Sequence, residues 1–164
     1  RELGEAVTRP VRRAGRTVVW QHRVDMLGSI RHEVRIHRPA DEVWAFAGDP
    51  ARLHEWFPVQ DCRVEGNKRW VTLPTGIVFE EDIVVVDDRT RRFQYSIVNN
   101  LLIRDHFGTV DVMDDGHGHT VLSYSTQCTP NVLALVTAGA SGQALRNAKR
   151  ILETADGNTD KGGN

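Results

Sequence analysis

The stretch from Ile36 to Pro58, IHRPADEVWAFAGDPARLHEWFP, determines which fold the sequence predicts. It has the pattern of a strand end followed by two short helices. Pro39 needs no backbone donor and suits a helix start, whereas Gly48 is typical of a helix end. Asp49 and Pro50 then form an N-cap and first-turn pair for a second helix. Neither helix is long enough to be stable alone, so both must pack on a larger element.

That larger element is predicted to be an antiparallel sheet, because most of the remaining chain alternates between apolar and polar residues. The first strand, Ser29 to His37, is followed after the helices by predicted strands over residues 59–64, 69–73, 77–86, 93–99, 103–113 and 120–128. A long amphipathic helix then begins at Pro130. Its middle, Ala138 to Gly142, contains only small residues, which predicts either a bend or free space beside the sheet. Strands with one long terminal helix indicate an α+β layer structure.

The same residues carry a family resemblance. After the first strand, Pro-Ala-x-x-Val-Trp (39–44) and Asp-Pro-x-x-Leu-x-x-Trp-x-Pro (49–58) resemble the opening of the SRPBCC superfamily. This superfamily includes the START lipid-transfer domains, the birch-pollen-allergen family and the polyketide cyclase/dehydrase family. The resemblance continues through Glu81-Asp82-Ile83 to the last helix. It implies the helix-grip fold, a curved seven-stranded antiparallel sheet around a long C-terminal helix, with a cavity between the two.

Length and composition indicate one domain in which positive and negative charges nearly balance. The 164 residues carry a net charge of −1, so bulk charge favours neither nucleic acid nor an acidic membrane as a partner. We predict a basic, partly disordered extension over residues 1–28, a ligand-binding domain over 29–155 and a disordered tail over 156–164. The extension is interpreted as solvated chain rather than as an arm for an anionic partner. With no membrane span or signal peptide predicted, Cys62 and Cys128 are expected to be reduced thiols in a cytoplasmic protein.

Glu81 is the most informative residue of the predicted strand over residues 77–86. Alternation places it on one face with four apolar residues: Ile77, Phe79, Ile83 and Val85. A carboxylate in such a lining needs a partner, a water or a raised pKa, and Arg104 is a possible partner. The alternative register leaves Glu81 in solvent beside Glu80.

The other candidate ligand-binding residues are spread over the predicted inward positions. Alternation places Tyr95 and Tyr124 inward. The resemblance indicates that His106 also faces inward, where Gly108 would leave room for a ligand. With Glu81, the predicted site consists of Trp56, Phe79, Tyr95, His106, Tyr124, Gly139 and Gln143. A pocket of this kind usually holds an apolar ligand that a few polar groups orient.

No catalytic signature accompanies this site. The chain has no nucleophile elbow, phosphate loop or dinucleotide fingerprint, and His117 with His119 lacks the further ligands of a closed metal centre. We therefore predict no metal and no cofactor. The expected partner is a small apolar molecule, bound by a monomer or weak dimer.

Three functions remain open. The first is binding of a small hydrophobic ligand, namely a lipid, a polyketide or another apolar metabolite. The second, implied by the resemblance, is a polyketide cyclase/dehydrase with Glu81 or His106 as the candidate catalytic residues. Cyclisation needs a base for a carbon-bound proton, for which Glu81 would serve, and a donor for the enolate oxygen, for which Tyr95, Tyr124 or His106 would serve. The third is a protein-interaction module of the chaperone-activator type.

Overall fold

The computed structural model describes residues 26–154. Seven strands form one antiparallel sheet in the order β1-β7-β6-β5-β4-β3-β2. The predicted helix-grip sheet is therefore confirmed. The strands are β1 (Gly28–Ile36), β2 (Asp61–Glu65), β3 (Lys68–Thr72), β4 (Val78–Asp87), β5 (Arg92–Val98), β6 (Arg104–Asp114) and β7 (Thr120–Thr129).

The helices also follow the predicted plan. Two short helices, α1 (Ala40–Ala47) and α2 (Leu53–Trp56), come after β1 and are separated by a 3₁₀ turn at Pro50–Arg52. The Asp49 carboxylate accepts a hydrogen bond of 2.9 Å from the Ala51 backbone N–H, which is the predicted cap. The last helix, α3 (Asn131–Thr154), is uninterrupted over 24 residues.

The two halves of α3 make different contacts with the sheet. In the second half, Ala144, Leu145 and Ala148 are fully buried and belong to the hydrophobic core. Their small or compact side chains allow the helix to pack directly on β1 and β7. In the first half, Ala134 is the buried apolar residue, whereas Val136 is 70% exposed. The curved sheet and the first half of α3 therefore leave a space between them.

Strand β4 departs from the predicted alternation at two places. Ile77 lies in the turn before the strand and is 55% exposed, so the prediction that it shares the face of Glu81 is wrong. A β-bulge between Ile83 and Val85 shifts the pairing with β5. Between these two points Glu81 faces the core, which excludes the alternative register.

The predicted extension and tail lie almost entirely outside the described residues, so the domain boundaries stay predictions. None of the helices within residues 26–154 is long and apolar enough to cross a membrane. Cys62 and Cys128 are both buried free thiols. The Cys62 thiol donates a hydrogen bond of 3.2 Å to the carbonyl oxygen of Pro50 and so links β2 to the 3₁₀ turn.

Candidate functional site

A cavity of about 260 Å³ lies between the sheet and the first half of α3. One side, which we call the sheet wall, consists of Val71, Phe79, Glu81, Tyr95, Ile97, His106 and Tyr124. The opposite side, the helix wall, consists of Leu133, Val136, Thr137 and Ala140. The remaining lining comes from α2 and the loops, through Leu53, Phe57, Val59, Leu73 and Ile103.

The strongest polar feature of the sheet wall is a buried ion pair. Strands β3 and β4 place Arg69 directly opposite Glu81. Arg69 Nε donates to Glu81 Oε2 over 2.6 Å, and the side chains are 1% and 6% exposed. The Arg69 guanidinium also lies 4.4 Å from the centre of the Tyr95 ring and 4.9 Å from that of Phe93. Aromatic faces thus supply part of the solvation that the buried cation loses.

Burial and pairing act in opposite directions on Glu81. Burial raises the pKa of the Glu81 carboxyl, and the charge and hydrogen bond of Arg69 oppose that rise without reversing it. Burial would lower the pKa of Arg69, but the carboxyl of Glu81 outweighs it and raises that pKa. The expected partner, Arg104, is replaced by Arg69, because hairpin pairing joins β4 to β3 at this point.

Two tyrosines form the second polar feature. The hydroxyl groups of Tyr95 and Tyr124 lie 2.6 Å apart and share one hydrogen bond. Burial raises the pKa of Tyr124 to about 12 and raises that of Tyr95 well above its ordinary value. Both phenols are therefore neutral hydrogen-bonding groups. Their shared bond uses one of the two phenolic hydrogens, which leaves the other for an acceptor inside the cavity.

Gly108 has a different role from the one predicted. A Cβ atom at this position would lie 2.4 Å from Cζ of Tyr95. The space that the missing side chain creates is therefore occupied by the Tyr95 ring and not by a ligand. Gly108 fixes the depth at which this tyrosine sits in the sheet wall.

His106 is held in one neutral form. Its Nδ1 accepts a hydrogen bond of 3.0 Å from the backbone N–H of Ile97, so Nε2 carries the proton and donates to Thr126 Oγ1 over 3.1 Å. Burial is the larger cause that lowers the pKa of His106 to about 4, and the nearby Arg69 cation lowers it further. A second ring proton would point at the Ile97 N–H. Since both nitrogens are engaged, the geometry favours a structural role over acid–base catalysis for His106.

The structure brings five of the eight predicted site residues together: Phe79, Glu81, Tyr95, His106 and Tyr124 all line the cavity. Trp56 is 2% exposed but lies in the core beside the cavity, because α2 turns Leu53 and Phe57 toward the space instead. Gly139 and Gln143 are exposed on the outer side of α3, each one residue before an alanine that faces inward, Ala140 or Ala144. These three residues are therefore not part of the lining.

Arg69 is absent from the predicted site, although the sequence contains a signal for its pairing with Glu81. Arg69 and Glu81 each lie six residues from Thr75, the centre of the turn, residues 74–76, that joins the predicted strands over 69–73 and 77–86. Antiparallel pairing about that turn brings them face to face.

Within residues 26–154, no group of three or more His, Cys, Asp or Glu side chains is placed to hold a metal ion. The polar lining is instead a neutral set of phenols and one imidazole beside an internally compensated ion pair. This arrangement is suited to orient an uncharged apolar molecule by one or two hydrogen bonds.

Solved structures confirm the fold. The chain is similar to the protein XoxI from Bacillus cereus, with a TM-score of 0.72 and 19% identity over 77% of this chain and 96% of that one. It is similar to norcoclaurine synthase from Thalictrum flavum in complex with dopamine and hydroxybenzaldehyde, with a TM-score of 0.65 and 16% identity over 91% and 99% of the two chains. The di-domain ARO/CYC protein BexL from the BE-7585A biosynthetic pathway gives a TM-score of 0.64 and 15% identity over 78% of this chain and 47% of that one.

No curated protein matches the sequence significantly. The family described as polyketide cyclase / dehydrase and lipid transport matches residues 28–153, which is the segment from the start of β1 to the last turn of α3. Sheet, cavity and final helix all lie within this match. The chain therefore belongs to the polyketide cyclase/dehydrase and lipid transport family.

Proposed function

We propose that the protein binds a small, neutral, largely apolar molecule in the cavity between sheet and α3. The observation that carries the proposal is the lining itself: apolar side chains surround a few polar groups that are already bonded to one another. In such a lining, binding is stabilised when the apolar surface of the ligand is removed from water. It also retains hydrogen-bonding capacity at the tyrosine pair.

The volume limits the size of the ligand. A cavity of about 150 Å³ accommodates benzene. The 260 Å³ found here therefore fits a molecule of one or two rings, or a short branched chain of similar volume. A long acyl lipid or a tetracyclic polyketide would require the helix wall to move outward.

Charge limits the ligand further. Glu81 and Arg69 compensate each other, while both tyrosines and His106 are neutral near pH 7. A charged ligand would have to be desolvated without a free counterion on the sheet wall. A phenol or a hydroxylated carbonyl compound instead offers an acceptor to the spare hydrogen of the Tyr95–Tyr124 pair.

The test is a calorimetric titration that measures the affinity for 2-naphthol, a neutral bicyclic phenol. Ala140→Phe places a ring in the cavity, and we expect it to weaken binding by at least about tenfold, since one filled pocket removes the apolar burial. Gly139→Phe is the matched control, because Gly139 is exposed and a Cβ atom there would meet nothing within 4 Å. Equal affinity of both variants would contradict the proposal. Native mass spectrometry of freshly purified protein then identifies a co-purifying natural ligand.

A cyclase/dehydrase activity is the second candidate, and the carboxyl of Glu81 in the lining favours it. A carboxyl whose pKa burial raises is a better proton acceptor from carbon than a solvated one. Incubation with a linear tri-β-ketone thioester distinguishes the two functions. An enzyme changes the cyclised products and loses that effect in Glu81→Gln, whereas a binding protein changes only ligand affinity.

A further inference from the structure

The free edge of β1 and the second half of α3 form a groove on the side of the molecule away from the cavity. Strand β1 is a terminal strand of the sheet. Lys149 donates to the carbonyl oxygen of Arg35 over 2.8 Å, and the backbone N–H of His37 donates to Glu153 Oε1 over 2.8 Å. These bonds show that the backbone groups of residues 35 and 37 point away from β7, toward the free edge.

The same direction applies to alternate residues farther along β1. In a strand, the N–H and C=O groups of every second residue point to the same side. Ser29, Arg31 and Glu33 therefore also direct their backbone groups to the free edge. Within residues 26–154, side chains of α3 close this edge at residues 35 and 37 and leave it open from residue 29 to residue 33.

The edge formed by β1 is long for a terminal strand, and its pairing with β7 is unbroken. Natural sheets generally shorten, bulge or cover their edges, because unpaired strands recruit other chains. The opposite edge of this sheet, β2, has only 5 residues, whereas β1 has 9 with unbroken register against β7. An extended peptide is the partner that satisfies an open strand edge through main-chain hydrogen bonds.

The charge of the groove selects the kind of peptide. Arg146 and Arg150 on α3 are exposed, and neither side chain has an ion-pair partner among residues 26–154. Arg146 Nη1 and His32 Cε1 lie 3.6 and 3.8 Å from the point where a Cβ on Gly142 would be. The basic row, which we define as Arg146 and Arg150, thus lies directly beside β1. Surface depressions bordered by Arg31, His32 and Glu33 and by Arg146, Lys149, Arg150, Glu153 and Thr154 lie along it.

From these observations we infer that the β1–α3 groove binds an extended acidic peptide segment, which adds an eighth strand to the sheet. A second copy of the chain fits less well, since pairing of two β1 edges would bring two basic rows together. The chain's own residues 1–25 carry six arginines against three acidic residues and would likewise be repelled. The peptide site is separate from the cavity and does not depend on the proposed ligand.

The test uses a fluorescein-labelled hexapeptide that alternates glutamate and valine, measured by fluorescence anisotropy with the full chain. We expect binding that a lysine–valine peptide does not show. Methylation of every backbone nitrogen should abolish it, because the peptide then has no N–H to donate. In NMR spectra, the amides of Ser29, Arg31 and Glu33 should shift on addition of the acidic peptide.

Two charge-reversal variants complete the test. Arg146→Glu with Arg150→Glu should weaken the acidic peptide by about tenfold. Arg63→Glu with Arg89→Glu makes the same charge change elsewhere on the surface and should leave affinity unchanged. The inference is overturned if the acidic peptide does not bind. It is also overturned if the methylated peptide binds equally well, or if both double variants lose the same affinity, because either result would show only nonspecific attraction of a negatively charged peptide.

Discussion

The sheet wall and the helix wall of the cavity are built in opposite ways. On the sheet wall, every polar side chain is bonded to a neighbour, through the Arg69–Glu81 pair, the tyrosine pair and His106. On the helix wall, the residues are small or apolar, and α3 carries no charged residue from Asn131 to Leu145. The sheet wall therefore fixes the chemistry of the cavity, whereas the helix wall determines its size.

The largest expected effect is the difference in stability loss between disrupting the buried Arg69–Glu81 pair and disrupting an exposed ion pair. Arg69→Leu leaves the Glu81 carboxylate buried without its cation, and we expect a loss of about 3 to 5 kcal/mol in the free energy of unfolding. Arg63→Leu is the matched control, because Arg63 also pairs with a glutamate and stacks on an aromatic ring but is 57% exposed. It should cost less than about 1 kcal/mol.

Urea denaturation of both variants measures the difference. Replacement of both partners, Arg69→Met with Glu81→Leu, should recover much of the loss, since no buried charge then lacks a partner. If Arg69→Leu costs no more than Arg63→Leu, the sheet wall is not organised by this ion pair.

The second effect concerns pH and His106. Its folded-state pKa of about 4 lies below the ordinary value of 6.5, so the unfolded chain binds the proton more tightly. The contribution of neutral His106 to stability is therefore fully present above pH 6.5 and is lost as pH falls toward 4. The loss amounts to about 3 kcal/mol between these limits.

His106→Asn removes this titration and keeps an acceptor for the Ile97 N–H. Denaturation curves at several pH values should show that the stability advantage of the wild type over the variant shrinks on acidification. The raised pKa of Glu81 acts in the opposite direction in both proteins and cancels in the comparison. An advantage that is constant with pH would show that His106 is not held neutral.

The third and smallest effect compares a glycine from each wall region. Gly108→Ala forces the Tyr95 ring to move, because the new Cβ would lie 2.4 Å from Cζ, and should cost about 1 to 3 kcal/mol. Gly139→Ala, on the exposed side of α3, meets nothing within 4 Å and should stabilise the helix by roughly 0.5 to 1 kcal/mol. Thermal unfolding of the two variants gives the signs directly, and a neutral Gly108→Ala would mean that Tyr95 is not tightly seated.

Much of this arrangement was predictable from the sequence. Strand alternation and the two short helices predict the α+β layers, and the family resemblance implies the helix-grip fold. One of the two registers that alternation leaves open places Glu81 toward the core between Phe79 and Ile83. These predictions succeeded because local patterns and the global fold agree at these positions.

The rest depended on pairing and helical phase. Arg69 was overlooked because an arginine with 1% exposure contradicts its usual surface position. Gly139 and Gln143 are predicted to line the cavity, but each comes one residue before an inward-facing alanine, Ala140 or Ala144, and is therefore turned roughly 100° around the helix from it. The space at Gly108 was filled by a tyrosine from the next strand, which only the β5–β6 register reveals.

The central claim, that a ligand lies between the two walls, is tested most directly by methyl NMR with 2-naphthol. Methyl groups of Val71 and Ile97 on the sheet wall and Val136 on the helix wall should shift together and show intermolecular NOEs to the ring. Methyl groups of Val84 and Val86, which are exposed, should remain unchanged. Shifts confined to Val84 and Val86, or absent from one of the two walls, would contradict the account.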